Sequence, residues 1–169
     1  MPTTLSPLRT EPYLATETRT TPWDEAVAEL RRGGTFWLAT AHPDGRPHLA
    51  PVLAVWVDEV LHVATDPASR KGRNLAADTR AALSCNGEHL DLVVEGTARP
   101  VADRDALARV AAAYLEVYGW SVEVRDGSFH AEGAPTAGPG PFTVHGLLPR
   151  TAFGFPRDGD RPATRWRFT

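Results

Sequence analysis

Apolar residues recur along this chain in two rhythms. Trp23, Ala26, Val27 and Leu30 fall at i, i+3, i+4 and i+7, the spacing of one helix face. Thr21 suits the N-cap of that helix, Pro22 its first position, and Gly33-Gly34 closes it. Beyond Gly34 short apolar runs dominate, and they predict strands at 35–40, 47–57 and 60–65, with turns at His42-Pro43-Asp44-Gly45 and Asp58-Glu59. Asp66-Pro67 breaks the third strand, and 69–77 reads as a short helix. Strands follow at 81–85 and 90–99. The long rhythm then returns: Asp103 suits a cap, and Leu107, Val110, Ala111, Tyr114, Leu115 and Tyr118 make one apolar stripe. That stripe reads as core or subunit contact, and its aromatic members receive no cofactor role. Residues 125–141 form a Gly/Pro-rich loop of a length that tends to be functional. Strands close the chain at 142–148, 152–155 and 165–168.

Short strands at close spacing with few helices predict a mainly β chain with helices (α+β), closed as an antiparallel barrel. The length of 169 residues suits a single domain at 21–169, preceded by a Thr/Pro-rich N-terminal arm at 1–20 that could pack on a partner subunit. A net charge of −3 argues against non-specific nucleic-acid binding. No apolar run approaches the ~20 residues of a membrane span, and the start lacks the basic and apolar regions of a signal peptide. One cysteine, Cys85, excludes an internal disulfide. These features together predict a cytoplasmic protein.

The informative stretch is Thr65-Asp66-Pro67-Ala68-Ser69-Arg70-Lys71-Gly72-Arg73-Asn74-Leu75. With Ser69 as N-cap, Arg70, Lys71 and Arg73 fall in the first helical turn. The positive pole of the helix repels each exposed cation by roughly 0.3–1 kcal/mol. An anion relieves that repulsion, and a phosphate would find free N–H groups, a hydroxyl, a guanidinium and an ammonium together. The bland alternative is a solvated basic turn. Lys71 stands out further because it is the single lysine among 18 Lys and Arg residues.

Ser-Arg-Lys followed by Asn-Leu, just after two hairpin-linked strands, resembles the phosphate-binding segment of the pyridoxamine 5′-phosphate oxidase-like split-barrel flavoproteins. Asp-Gly-Arg-Pro-His-Leu-Ala-Pro-Val resembles the family's opening hairpin. Lys-Gly-Arg-Asn-Leu, the loop Ala-Pro-Thr-Ala-Gly-Pro and the ending Ala-Thr-Arg-Trp-Arg-Phe are closer to the branch that includes deazaflavin (coenzyme F-420) reductases. The resemblance covers about residues 22–169. It implies an FMN-binding-protein-like split barrel and a homodimer with cofactor at the interface. It further implies that Ser69, Arg70, Lys71 and Asn74 hold the cofactor's phosphate end. Ala50, Pro51 and Val52 would line the ring edge, Ala64 and Thr65 would border the chain of the cofactor, and Arg165 and Trp166 would reach in from the second subunit. The implied function is an oxidoreductase moving hydride between coenzyme F-420 and a small organic acceptor. An FMN enzyme, or a non-catalytic flavin or haem carrier, is the alternative. Arg-Trp-Arg-Phe departs from the Arg-Leu-x-Pro ending of the pyridoxamine phosphate oxidases themselves, which speaks against that exact reaction.

No residue presents itself as a catalytic acid, base or nucleophile, as expected where a cofactor carries the chemistry. The six histidines show no metal-ligand spacing, so no metal site is expected. Cys85, in an apolar strand, reads as a small buried hydrophobe.

Overall fold

Six strands close on themselves to make the body of the molecule, and the order in which they do so fixes where it opens. The computed structural model describes residues 5–135 and 137–169. Its elements run β1 (Arg9–Pro12), α1 (Trp23–Arg31), β2 (Thr35–Ala41), β3 (Pro47–Val57), β4 (Val60–Thr65), α2 (Arg70–Ala77), β5 (Arg80–Asn86), β6 (Leu90–Pro100), α3 (Arg104–Tyr118), β7 (Glu123–Arg125), β8 (Ser128–His130), β9 (Thr143–Pro156) and β10 (Thr164–Arg167). The antiparallel order is β9-β4-β3-β2-β5-β6, and β6 pairs back onto β9 to complete a barrel. β10 and β1 extend the sheet from the outer edge of β9.

Three segments differ from the sequence expectation. The run expected as two strands at 142–148 and 152–155 is one strand, β9, which serves three neighbours in turn. Its register against β6 shifts between Glu95 and Gly96, so Pro149 falls at a bulge, where a missing N–H is tolerated. Gly96 makes that shift feasible, since a Cβ there would stand 2.0 Å from the Leu148 carbonyl oxygen. The 125–141 segment is not wholly loop, because β7 and β8 form a small hairpin at its start. The amino-terminal segment contributes β1, which pairs with this chain's own β10. Glu11 fastens that pairing, lying 3.0 Å from Arg9, 3.0 Å from Arg165 and 2.9 Å from Arg167.

Two apolar clusters hold the fold. The first fills the barrel with Phe36, Leu38, Val63, Leu83 and Leu92, and receives Ala26 and Leu30 from α1 and Leu75 from α2. The second lies under α3, where Leu107, Val110 and Tyr114 meet Val55, Trp120, Phe129, Phe142 and Val144. Cys85 is buried in the first cluster, and desolvation pushes its thiol up to about 12, so it acts as a hydrophobe. Among the described residues, no helix is long and apolar enough to cross a membrane.

His62 on β4 is buried at 6% exposure, with Nδ1 3.0 Å from the Val60 carbonyl. Burial lowers its pKa to about 4. The unfolded chain, titrating near 6.5, therefore takes up this proton more readily than the folded one. The resulting stability is complete above about pH 6.5 and disappears as pH falls toward 4. His145, whose pKa burial also lowers, acts in the same direction. His62→Gln should flatten the loss of stability between pH 6.5 and 4.5 by about 2–3 kcal/mol. Urea unfolding at the two pH values measures this, and an unchanged difference would contradict it.

Candidate functional site

β3 and β4 pair from Val57–Val60 only as far as Ala54–Val63. Past that point β3 continues against β2 alone, through Leu53 to Pro47, while β4 continues against β9 through Thr65. The two strands part, and their facing backbone groups need other partners. Tyr114 of α3 supplies them. Its hydroxyl accepts from the Ala64 N–H at 3.1 Å and donates to the Leu53 carbonyl at 2.9 Å. Tyr114 is 1% exposed, and burial pushes its pKa up, so the phenol stays protonated.

The fork opens into a recess of about 90 Å³. Val52, Leu53 and Ala64 line it from the strands, Tyr114, Trp120 and Phe142 from the second apolar cluster, and Ala134, Pro135 and Ala137 from the Gly/Pro-rich loop. Trp120 ties that loop down, with Nε1 donating to the Gly133 carbonyl at 2.9 Å. Asp66, Ser69 and Lys71 complete the wall. A pocket enclosing a whole drug-sized ligand holds about 300–1,000 Å³, so a single chain encloses only part of a large one.

The α2 end of the recess has the polarity that the sequence suggested. Ser69 is the N-cap, and its hydroxyl accepts from the Gly72 N–H at 3.1 Å while donating to the Asp66 carbonyl at 2.6 Å. Gly72 allows the helix to press on the turn before it, since a Cβ would lie 2.3 Å from the Asp66 carbonyl oxygen. The first turn of α2 contains no carboxylate. Among the described residues, neither exposed Arg70 nor half-buried Lys71 has a carboxylate within 4.0 Å. Arg73 differs, because its guanidinium folds back onto the Ala68 carbonyl. Two free cations, rather than three, therefore face the positive pole of α2. The field of Arg70 extends to His42, whose pKa is lowered by desolvation first, then by Arg46 and Arg70.

Of the residues carried over by resemblance, Val52, Ala64, Ser69 and Lys71 meet in the recess, and Arg70 stands beside it. Ala50 and Pro51 lie further along β3, outside its lining. Thr65 and Asn74 turn away from it. Thr65 is buried, with its hydroxyl 3.5 Å from His145 Nδ1. Asn74 is 1% exposed and donates to the Thr40 hydroxyl at 3.1 Å, while its Oδ1 has no partner. Its amide nitrogen joins α2 to β2. Trp166 is a correction to the expectation of a stacking residue reaching a second subunit. It is 0% exposed, donates to the Thr21 carbonyl at 3.1 Å and stacks edge-on against Trp23. Arg165, one residue earlier, points to the opposite face of β10 and reaches Glu11.

A family model for pyridoxamine 5′-phosphate oxidase matches residues 22–135. The chain belongs to the pyridoxamine 5′-phosphate oxidase family. Solved structures of the same fold include a haem-binding protein from Mycobacterium smegmatis, 18% identical, TM-score 0.60, covering 88% of this chain and 59% of that one. Another is a pyridoxamine 5′-phosphate oxidase-related FMN-binding protein from Nostoc punctiforme, 20% identical, TM-score 0.56, covering 86% and 90%. An F420 reductase is 23% identical, TM-score 0.52, covering 74% and 93%. No curated protein matches the chain. The family match spans the fork, α2 and α3 and ends within the Gly/Pro-rich loop, so most of the recess lies inside the matched region.

The sequence reading missed Leu53, Tyr114, Trp120 and Phe142. Tyr114 and Phe142 sit in apolar patterns that carry no mark of a cavity. Trp120 had a local signal, since it follows the left-handed Gly119 that ends α3. Tyr114→Phe would leave the Leu53 carbonyl and the Ala64 N–H unpartnered, at a cost of about 1–3 kcal/mol. Urea unfolding at neutral pH should show that loss, and wild-type stability would contradict the latch.

Proposed function

We propose that this chain is an oxidoreductase that binds coenzyme F-420 and passes hydride between that deazaflavin and a small organic acceptor. The observation that carries the reading is the pair of uncompensated cations, Arg70 and Lys71, at the N-terminal turn of α2 beside an apolar recess. Residues of that kind fit a ligand with an anionic phosphate at one end and a flat apolar body at the other. When bound, the deazaflavin supplies a two-electron hydride donor or acceptor. The chain's part is to bind, orient and exclude water. Lys71 and Arg70 attract the phosphate, and the Ser69 cap and Gly72 hold the turn that presents them. Val52 and Ala64 border the body of the ligand at the fork, and Ala50 and Pro51 extend that border along β3. The Lys-Gly-Arg-Asn-Leu variant and the F420 reductase of like fold favour the deazaflavin. FMN is the second reading, favoured by the FMN-binding protein of like fold, and it offers Lys71 the same phosphate.

The reading includes a second copy of the chain. The outer face of β2 and β3 exposes Trp37 at 41% and Leu49 at 60%, beside Pro51. One cross-strand row runs Pro51, Trp37, Ser84, Val93, Phe153, Arg165 from that face around the barrel to β10. Burying its apolar part in a homodimer would bring Arg165 of one copy toward the open side of the other copy's recess, which a single chain leaves incomplete.

Lys71→Ala should weaken binding of coenzyme F-420 or FMN by about 1.5–3 kcal/mol, the scale of a charge-assisted hydrogen bond. Absorbance titration of wild type and variant reads the change, and equal affinities would reject the phosphate role. Light scattering on the same samples should give twice the 18.3 kDa chain mass, and a monomer would reject the dimer.

A further inference from the structure

Among the described residues, and away from Lys71 and Asp66, the wall of the recess offers no free hydrogen-bonding side chain. Three other polar side chains line it, and all are engaged within the protein. The Ser69 hydroxyl holds the Gly72 N–H and the Asp66 carbonyl. The Tyr114 hydroxyl holds the Ala64 N–H and the Leu53 carbonyl, and Trp120 Nε1 holds the Gly133 carbonyl. The loop contributes Ala134, Pro135 and Ala137. Within 131–141 the charged residue is Glu132, which is exposed and is not part of the lining. An anion entering this end would lose its hydration with no free donor or counter-charge among the described residues there to replace it. A flat uncharged ring would meet apolar surface and aromatic side chains.

We infer that the loop-side wall, through Ala134, Pro135 and Ala137, selects an uncharged, flat second reactant and excludes anionic ones. This rests on the reading above in one respect, that the Lys71 end is taken by the cofactor's own anion.

Calorimetric titration with 2-naphthol and 2-naphthoate at pH 7 isolates charge on one ring system. Saturating inorganic phosphate occupies the Lys71 end in both titrations. Wild type should bind naphthol at least about tenfold more tightly than naphthoate. Ala134→Lys should raise naphthoate affinity and bring the two toward equality, with an unchanged circular dichroism spectrum. Ala137→Lys, at an exposed position, should do the same and stands in if the first variant misfolds. Equal or tighter naphthoate binding by wild type, no binding of either compound, or lysine variants that leave the ratio unchanged would each overturn the inference. Failure to bind FMN or coenzyme F-420 with the naphthol preference intact would overturn the cofactor reading alone. Flavin binding with no naphthol preference would overturn this inference alone.

Discussion

A closed ladder of strands has no opening unless pairing fails somewhere, and here it fails between β3 and β4. The parting exposes a carbonyl and an N–H that the interior cannot leave bare. One phenol from α3 satisfies both, and so Tyr114 does more than fill the space under its helix. It fixes how far the strands part, sets the floor of the recess and ties α3 to the barrel. Trp120, just past the end of the same helix, fastens the loop that forms the facing wall. Helix, fork and loop are thus one mechanical unit, and the second apolar cluster is its packing.

Against that apolar unit stands the turn into α2. Its cap is ordinary, with a serine hydroxyl accepting from the first turn as in many helices. Its charges are not. Arg73 finds a carbonyl to bond, but among the described residues Arg70 and Lys71 have no carboxylate partner at the pole where cations are least favoured. Folding gains nothing from that arrangement. The tight approach at Gly72, which only a residue without a Cβ permits, holds the turn in that place.

The sequence carried the elements well where one period dominated. α3 and the β2–β3 hairpin could be read from periodicity and turn residues alone. It failed where pairing is decided by distant neighbours. The gap expected between strands at 142–148 and 152–155 is continuous strand, because a bulge opposite Gly96 carries β9 through Pro149. At the site, the basic segment was legible because charge next to a helix cap is a local signal. The direction of each side chain was not. Asn74 follows Lys71 by three residues, yet it turns inward to Thr40. Trp166 and Arg165 are neighbours, but strand alternation sends one into the core and the other to the surface, and the sequence alone cannot say which. Tyr114 sat in an apolar stripe that gave no hint of a hydroxyl bridging two strands.

The central claim is that an anion sits where α2 begins, joined to a body lying in the fork. A crystal structure of the protein grown with FMN or coenzyme F-420 tests it most directly. The account predicts phosphate density within hydrogen-bonding distance of Lys71 Nζ, with the ring system between Val52, Ala64 and the 131–141 loop. Cofactor bound elsewhere, or an empty turn with Lys71 and Arg70 directed into solvent, would contradict it.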